Sequence, residues 1–83
     1  MLDTSYLVTT FANDDATGRT SAVVEFRPVI RRWVSHVSWE HIDVKINVWE
    51  RGAGETRRVV KLPEAHRLAK AYAVKGWRME QWY

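Results

Sequence analysis

Cysteine is absent from all 83 residues, so the chain can form neither a disulfide staple nor a thiolate zinc site. That fits a reducing cytosol. No apolar run approaches the ~20 residues of a membrane-spanning helix. Met1-Leu2-Asp3-Thr4-Ser5 lacks the basic and apolar regions of a signal peptide. The expectation is a cytoplasmic protein with no membrane contact. No internal repeat or low-complexity segment is present.

The groups that carry most enzyme chemistry are missing too. None of the serines (Ser5, Ser21, Ser35, Ser38) sits in a Gly-x-Ser-x-Gly elbow. Gly52-Ala53-Gly54 has no lysine and helix after it, which a phosphate-binding loop requires. The polar loop Asn13–Gly18 contains Asp14 and Asp15 but lacks the ligand register and closing glutamate of an EF-hand. The spacing of His36, His41 and His66 matches no metal motif. His41 and Asp43 on one strand face would make an acid–base pair only if a cleft formed there. The expectation is a chain that is not an enzyme and uses no metal or cofactor.

What is present is a small basic domain. A chain this short forms one domain over residues 1–83 and buries roughly 60–65% of its unfolded surface. The formal net charge is +3, unevenly spread. Up to Gly18 there are three acids and no base, and the remainder has thirteen bases against seven acids. A basic body can attract nucleic acid or an acidic protein surface, although bases and acids are interleaved. Five tryptophans exceed what so small a core can absorb at about 150–250 Å² each. Some are therefore expected at the surface or at an interface.

In chain order, Tyr6–Ala12 is rich in β-branched and aromatic residues and reads as a strand. Thr20–Arg27 reads as a second, with Ala22, Val24 and Phe26 on one face and Val23, Glu25 and Arg27 on the other. The two should form a hairpin around the acidic loop. Beyond Pro28, Ile30, Trp33, Val34 and Val37 recur at helical spacing, which predicts a short helix over 28–38. Continuation of the second strand through Val34 is the competing reading. From His41 to Leu62, Ile42, Val44, Ile46 and Val48 alternate with polar residues up to a glycine turn at 52–54. Pairing Arg51 with Glu55 sets Ile46 opposite Val60 and Val44 opposite Leu62. It also sets Trp49 opposite Arg57 and Lys45 opposite Lys61. Pro63 opens a helix that ends at Gly76, with Ala65, Leu68, Ala69, Tyr72 and Ala73 as its apolar stripe and His66 on its polar face. Trp77–Tyr83 returns as a strand. The expected fold is α+β, with order β-β-(α)-β-β-α-β, an antiparallel or mixed sheet of about five strands, and helices packed on one face.

The segment Val60-Lys61-Leu62-Pro63-Glu64-Ala65-His66-Arg67-Leu68-Ala69-Lys70-Ala71 resembles the strand–helix ends of small proteins encoded by bacteria and their bacteriophages. Size, the lack of a catalytic constellation and an aromatic, charged surface are similar to phage inhibitor proteins, including anti-CRISPR proteins. The resemblance covers about a seventh of the chain and carries no motif whose site residues could be transferred. It implies a stoichiometric binder of a host complex. DNA mimicry does not fit, because mimics are acidic and this chain is basic.

The expected binding residues are Lys45, Trp49, Arg57, Lys61, Arg78 and Trp82 on the outer sheet face, with the Arg31-Arg32-Trp33 cluster. Trp, Tyr and Arg are enriched at protein–protein hot spots, and the acids Asp43, Glu50, Glu55 and Glu80 nearby favour a protein partner, from a host or a second copy of the chain. A homodimer would also bury Trp49 and Trp82. Nucleic acid is the alternative partner, since bases interleaved with aromatics can neutralise phosphates and stack bases. The glycines and closely spaced aromatics of the ribonucleoprotein sheet signature are absent.

Overall fold

A computed structural model describes residues 9–29 and 39–82 of the chain. The described elements are β1 (Thr9–Asp14), β2 (Thr20–Val29), a 3-10 turn (Trp39–His41), β3 (Asp43–Glu50), β4 (Gly54–Lys61), α1 (Leu62–Val74) and β5 (Arg78–Trp82). The five strands form one sheet in the order β4-β3-β2-β1-β5, and every neighbouring pair is antiparallel. The α+β architecture expected from the sequence is therefore present, as a fully antiparallel sheet with α1 packed on one face.

Alternation decides which face receives the helix. Phe11 of β1, Val24 and Phe26 of β2, and Val44 and Ile46 of β3 share the inner face and are buried. Leu62, Ala65 and Ala69 of α1 close over them. The two alanines are fully buried, and their lack of bulk lets the helix approach the sheet closely. Phe11 and Phe26 meet edge to face, with centroids 6.1 Å apart at 88°. Tyr72 stacks on Phe11 at 5.9 Å and meets Trp77 at 4.8 Å. These are favoured aromatic geometries, and they place Trp77 beside the core instead of at the surface. Ala73 is exposed and His66 half-buried, so the stripe ends at Tyr72 and His66 lies on the flank of the helix.

Local chemistry marks both ends of α1. Pro63 stands in the first turn, where its missing N–H costs nothing, and Glu64 pairs with Arg67 one turn later. At the other end the Gly76 N–H donates to the Ala73 carbonyl at 3.2 Å, and the Trp77 N–H to the Tyr72 carbonyl at 3.2 Å. With Gly76 at φ 83°, this is a Schellman closure.

Three further expectations change. The β3–β4 loop is Arg51-Gly52-Ala53, one residue earlier than expected, because Glu50 pairs with Gly54. Ala53 N–H donates to the Glu50 carbonyl at 3.1 Å, and Gly52 supplies the positive φ that this turn needs. The register therefore sets Val44 opposite Val60, Ile46 opposite Arg58, Trp49 opposite Glu55 and Lys45 opposite Val59. Neither the Trp49–Arg57 nor the Lys45–Lys61 pairing occurs. Secondly, Pro28 and Val29 belong to β2, opposite Val44 and Asp43, and do not open a helix. The helical spacing starts only at Ile30, and residues 30–38 lie outside the described part. Thirdly, His41 ends the 3-10 turn instead of starting β3, so it does not share a strand face with Asp43.

Candidate functional site

The outer face of the sheet is a grid of side chains whose rows follow from the registers. One row runs Arg78, Ala12, Val23, Trp49, Glu55 across all five strands. The next runs Thr10, Glu25, Asn47, Arg57, and the two beyond it are Arg27, Lys45, Val59 and Val29, Asp43, Lys61. Among the described residues no helix covers this face, since α1 is committed to the other one. Trp49 is 39% exposed and Val59 53% exposed, with half-buried Val23 beside Trp49.

Lys45, Trp49, Arg57 and Lys61 share this face as the sequence predicts, and Arg78 joins them at the opposite edge. Trp49 lies diagonal to Arg57, still within reach of a large side chain. Trp82 is opposite Thr9 in the β1–β5 register. That register contains a bulge between Thr10 and Phe11. Arg31, Arg32 and Trp33 lie outside the described residues. The expected binding residues leave out Val23, Glu25, Arg27 and Val59, which the registers place on the same face. Their signal was available, since the alternation of Thr20–Arg27 already assigns Val23, Glu25 and Arg27 to the outer face.

The acids of this face are held by its bases. Arg27 lies 2.9 Å from Glu25, which also accepts from the Asn47 amide at 3.2 Å. Lys61 reaches Asp43 at 2.7 Å across the strands, and Arg57 reaches Glu55 at 3.2 Å. At the β5 edge Arg78 grips both carboxylate oxygens of Asp14, at 3.1 and 3.2 Å, and Glu80 at 2.7 Å. The Arg27 hydrogen bond holds the Glu25 carboxyl below its usual range, and the Arg78 bond does the same for Asp14. Arg27, Arg57, Lys61 and Arg78 thus each have a local counter-charge, Lys45 acts on Glu25 through its charge alone, and the field over the face alternates in sign.

The acidic loop has a structural use. Asp15 accepts from the Thr17 hydroxyl at 2.6 Å, from the Thr17 and Arg19 backbone N–H groups at 2.9 and 3.0 Å, and from Arg51 at 2.9 Å. The Thr17 hydroxyl is the largest cause of a strongly lowered carboxyl pKa. Among the described residues no three His, Cys, Asp or Glu side chains gather where a metal ion could sit, and no helix is long and apolar enough to cross a membrane. Comparison with protein-family models, with curated proteins and with solved structures returns no match for this chain.

Proposed function

We propose that the chain is a non-enzymatic protein-binding module that meets its partner through the outer sheet face, with Trp49 as the anchor. The observation that carries this reading is a half-exposed tryptophan flanked by Val23 and surrounded by charges that are already paired. An exposed aromatic beside an apolar neighbour resembles a hot spot ringed by polar contacts. A polyanion is the poorer occupant, because its closely spaced phosphates would lie against Glu25, Asp43, Glu55, Asp14 and Glu80 as well as against the bases. Such a module acts stoichiometrically, by occupying a surface of a larger assembly, which agrees with the inhibitor role suggested by the resemblance to phage proteins.

Affinity capture with wild type and Trp49→Ala side by side tests the reading. Loss of a hot-spot tryptophan costs about 2 kcal/mol or more, so the variant should lose its partner while its far-UV circular dichroism is unchanged. Equal capture by both removes Trp49 from the site. A parallel titration against DNA and RNA at ~50 mM salt, where phosphate contacts are strongest, should give no binding. Tight, steeply salt-dependent binding there would replace the protein-partner reading with the nucleic-acid one.

A further inference from the structure

Strand β4 is the terminal strand of the described sheet. It pairs with β3 along its whole length without a bulge, and no described strand lies along its other side. Its backbone groups on that side are a template for another strand. The opposite edge, β5, is shorter and its ladder contains a bulge, so β4 is the better template. Every residue of β4 except Val60 is exposed, and the strand contains no proline.

Charge decides what could pair with it. Arg57, Arg58 and Lys61 face a single acid, Glu55, along β4. A second copy of the chain is a poor occupant. Antiparallel two-fold pairing that keeps the faces matched centres on a residue. The two registers engaging nearly all of the strand are centred on Arg57 or on Arg58, so each sets two arginines directly opposite one another. Like charges in that position destabilise the pair. Each register also joins two strands that each carry three bases and one acid, an excess that the two Glu55–Lys61 pairs of the Arg58-centred register offset only in part. An acidic strand meets the opposite situation. Arg57 and Lys61 present cations on the outer face, and Arg58, opposite Ile46, presents one on the inner face. Arg58 forms no ion pair among the described residues. The Arg57–Glu55 and Lys61–Asp43 pairs are exposed and so contribute little stability, which lets an incoming carboxylate share those cations.

We propose that the β4 edge accepts an extended acidic segment of a partner protein by antiparallel strand addition. Main-chain hydrogen bonds supply the attachment. Acids opposite Arg57, Arg58 and Lys61, with apolar residues opposite Val59 and Val60, supply the selectivity. This edge borders the Trp49 face and shares Arg57 and Lys61 with it, but strand addition depends on the β4 backbone and Arg58 and the face depends on Trp49, so either can fail alone.

The test is a titration of the isotope-labelled full chain with an acetylated, amidated heptapeptide, Glu-Val-Val-Glu-Glu-Thr-Lys, whose order matches Lys61 back to Glu55. The expected result is amide shifts centred on residues 54–61 and slowed hydrogen exchange there. The charge-reversed peptide should not bind. N-methylation at alternate peptide bonds should weaken binding at least about tenfold, as should Arg58→Glu with unchanged circular dichroism. If Arg58→Glu fails to fold, Arg57→Glu takes its place. The proposal is overturned by the absence of shifts up to ~1 mM peptide or by equal binding of the N-methylated peptide. It is also overturned if the shifts centre on Trp49, or if sedimentation shows a dimer whose β4 amides are already protected.

Discussion

Arg51 and Asp15 join the tips of the two hairpins. The Arg51 guanidinium lies 2.9 Å from the Asp15 carboxylate and also donates to the Thr20 carbonyl, while its backbone N–H donates to Ser21 at 2.9 Å. The β3–β4 turn is thereby clasped to the β1–β2 loop. The excess of acid before Gly18 and of base after it is in part the two halves of this contact. Arg78 and Asp14 repeat it at the β5 edge.

Arg51→Ala and Asp15→Asn should each lower the melting temperature, and the double variant should lose less than the two single losses combined, because the groups act as one unit. Thermal unfolding of the four proteins measures the coupling. Strict additivity would show that the clasp contributes nothing.

Acid should release the same contacts. An unfolded aspartate titrates near about 3.9, whereas the folded pKa of Asp15 is lowered, first by the Thr17 hydroxyl, and those of Asp14 and Glu25 by their arginines. A lowered folded pKa gives stability that is fully present above the unfolded value and is lost as pH falls toward the folded one. Urea midpoints should therefore hold near neutrality and fall below about pH 4. The gap between wild type and Asp15→Asn should close over that window. A gap independent of pH would refute the assignment.

The close approach of α1 to the sheet depends on Ala65 and Ala69. Ala69→Leu should cost about 1–3 kcal/mol through overpacking, and Phe26→Ala about 3–5 kcal/mol through the cavity it leaves. Against a typical total of about 5–15 kcal/mol, the second approaches global unfolding. A lowered urea midpoint with unchanged m-value is the expected signature. Tolerance of leucine at 69 would mean that the helix stands off the sheet.

Gly52 is required for its backbone alone. It holds φ 84°, and a Cβ built there meets no atom within 4 Å. Gly52→Ala should cost about 1–2 kcal/mol from the left-handed conformation, and Gly52→Asn distinctly less, since asparagine tolerates that region. Equal costs for the two would point to a steric cause instead.

The hairpin and its faces were legible in the sequence, but its register was not. Alternation assigns Val44, Ile46 and Val60 to one face whether Val44 stands opposite Val60 or Leu62, because moving a partner by two residues preserves the face. Only the turn separates the two, and Gly52 and Gly54 are both able to occupy a positive φ. Leu62 completes the lesson: its apolar character fitted a strand end, but its side chain is buried in the first turn of α1. Pro28 misled because it precedes a helical spacing while sitting inside a strand. The outer-face placement of Trp49, Arg57 and Lys61 was legible because each falls on the outer phase of a regular alternation. The grip of Arg78 on Asp14 was invisible, since those residues lie 64 positions apart and no local pattern connects them.

The β1–β5 ladder, where Thr9 meets Trp82, has a kinetic consequence. β1–β2 and β3–β4 are hairpins whose ends are brought together by short loops, so they can form early. The β1–β5 ladder instead requires closing a loop that contains nearly all the rest of the chain. Closure entropy grows only slowly with length, but none of it is recovered until β5 is in register. Long-range pairing of this kind slows folding. Protection of the β5 amides in a refolding experiment should therefore appear last, marking the moment at which the sheet is complete.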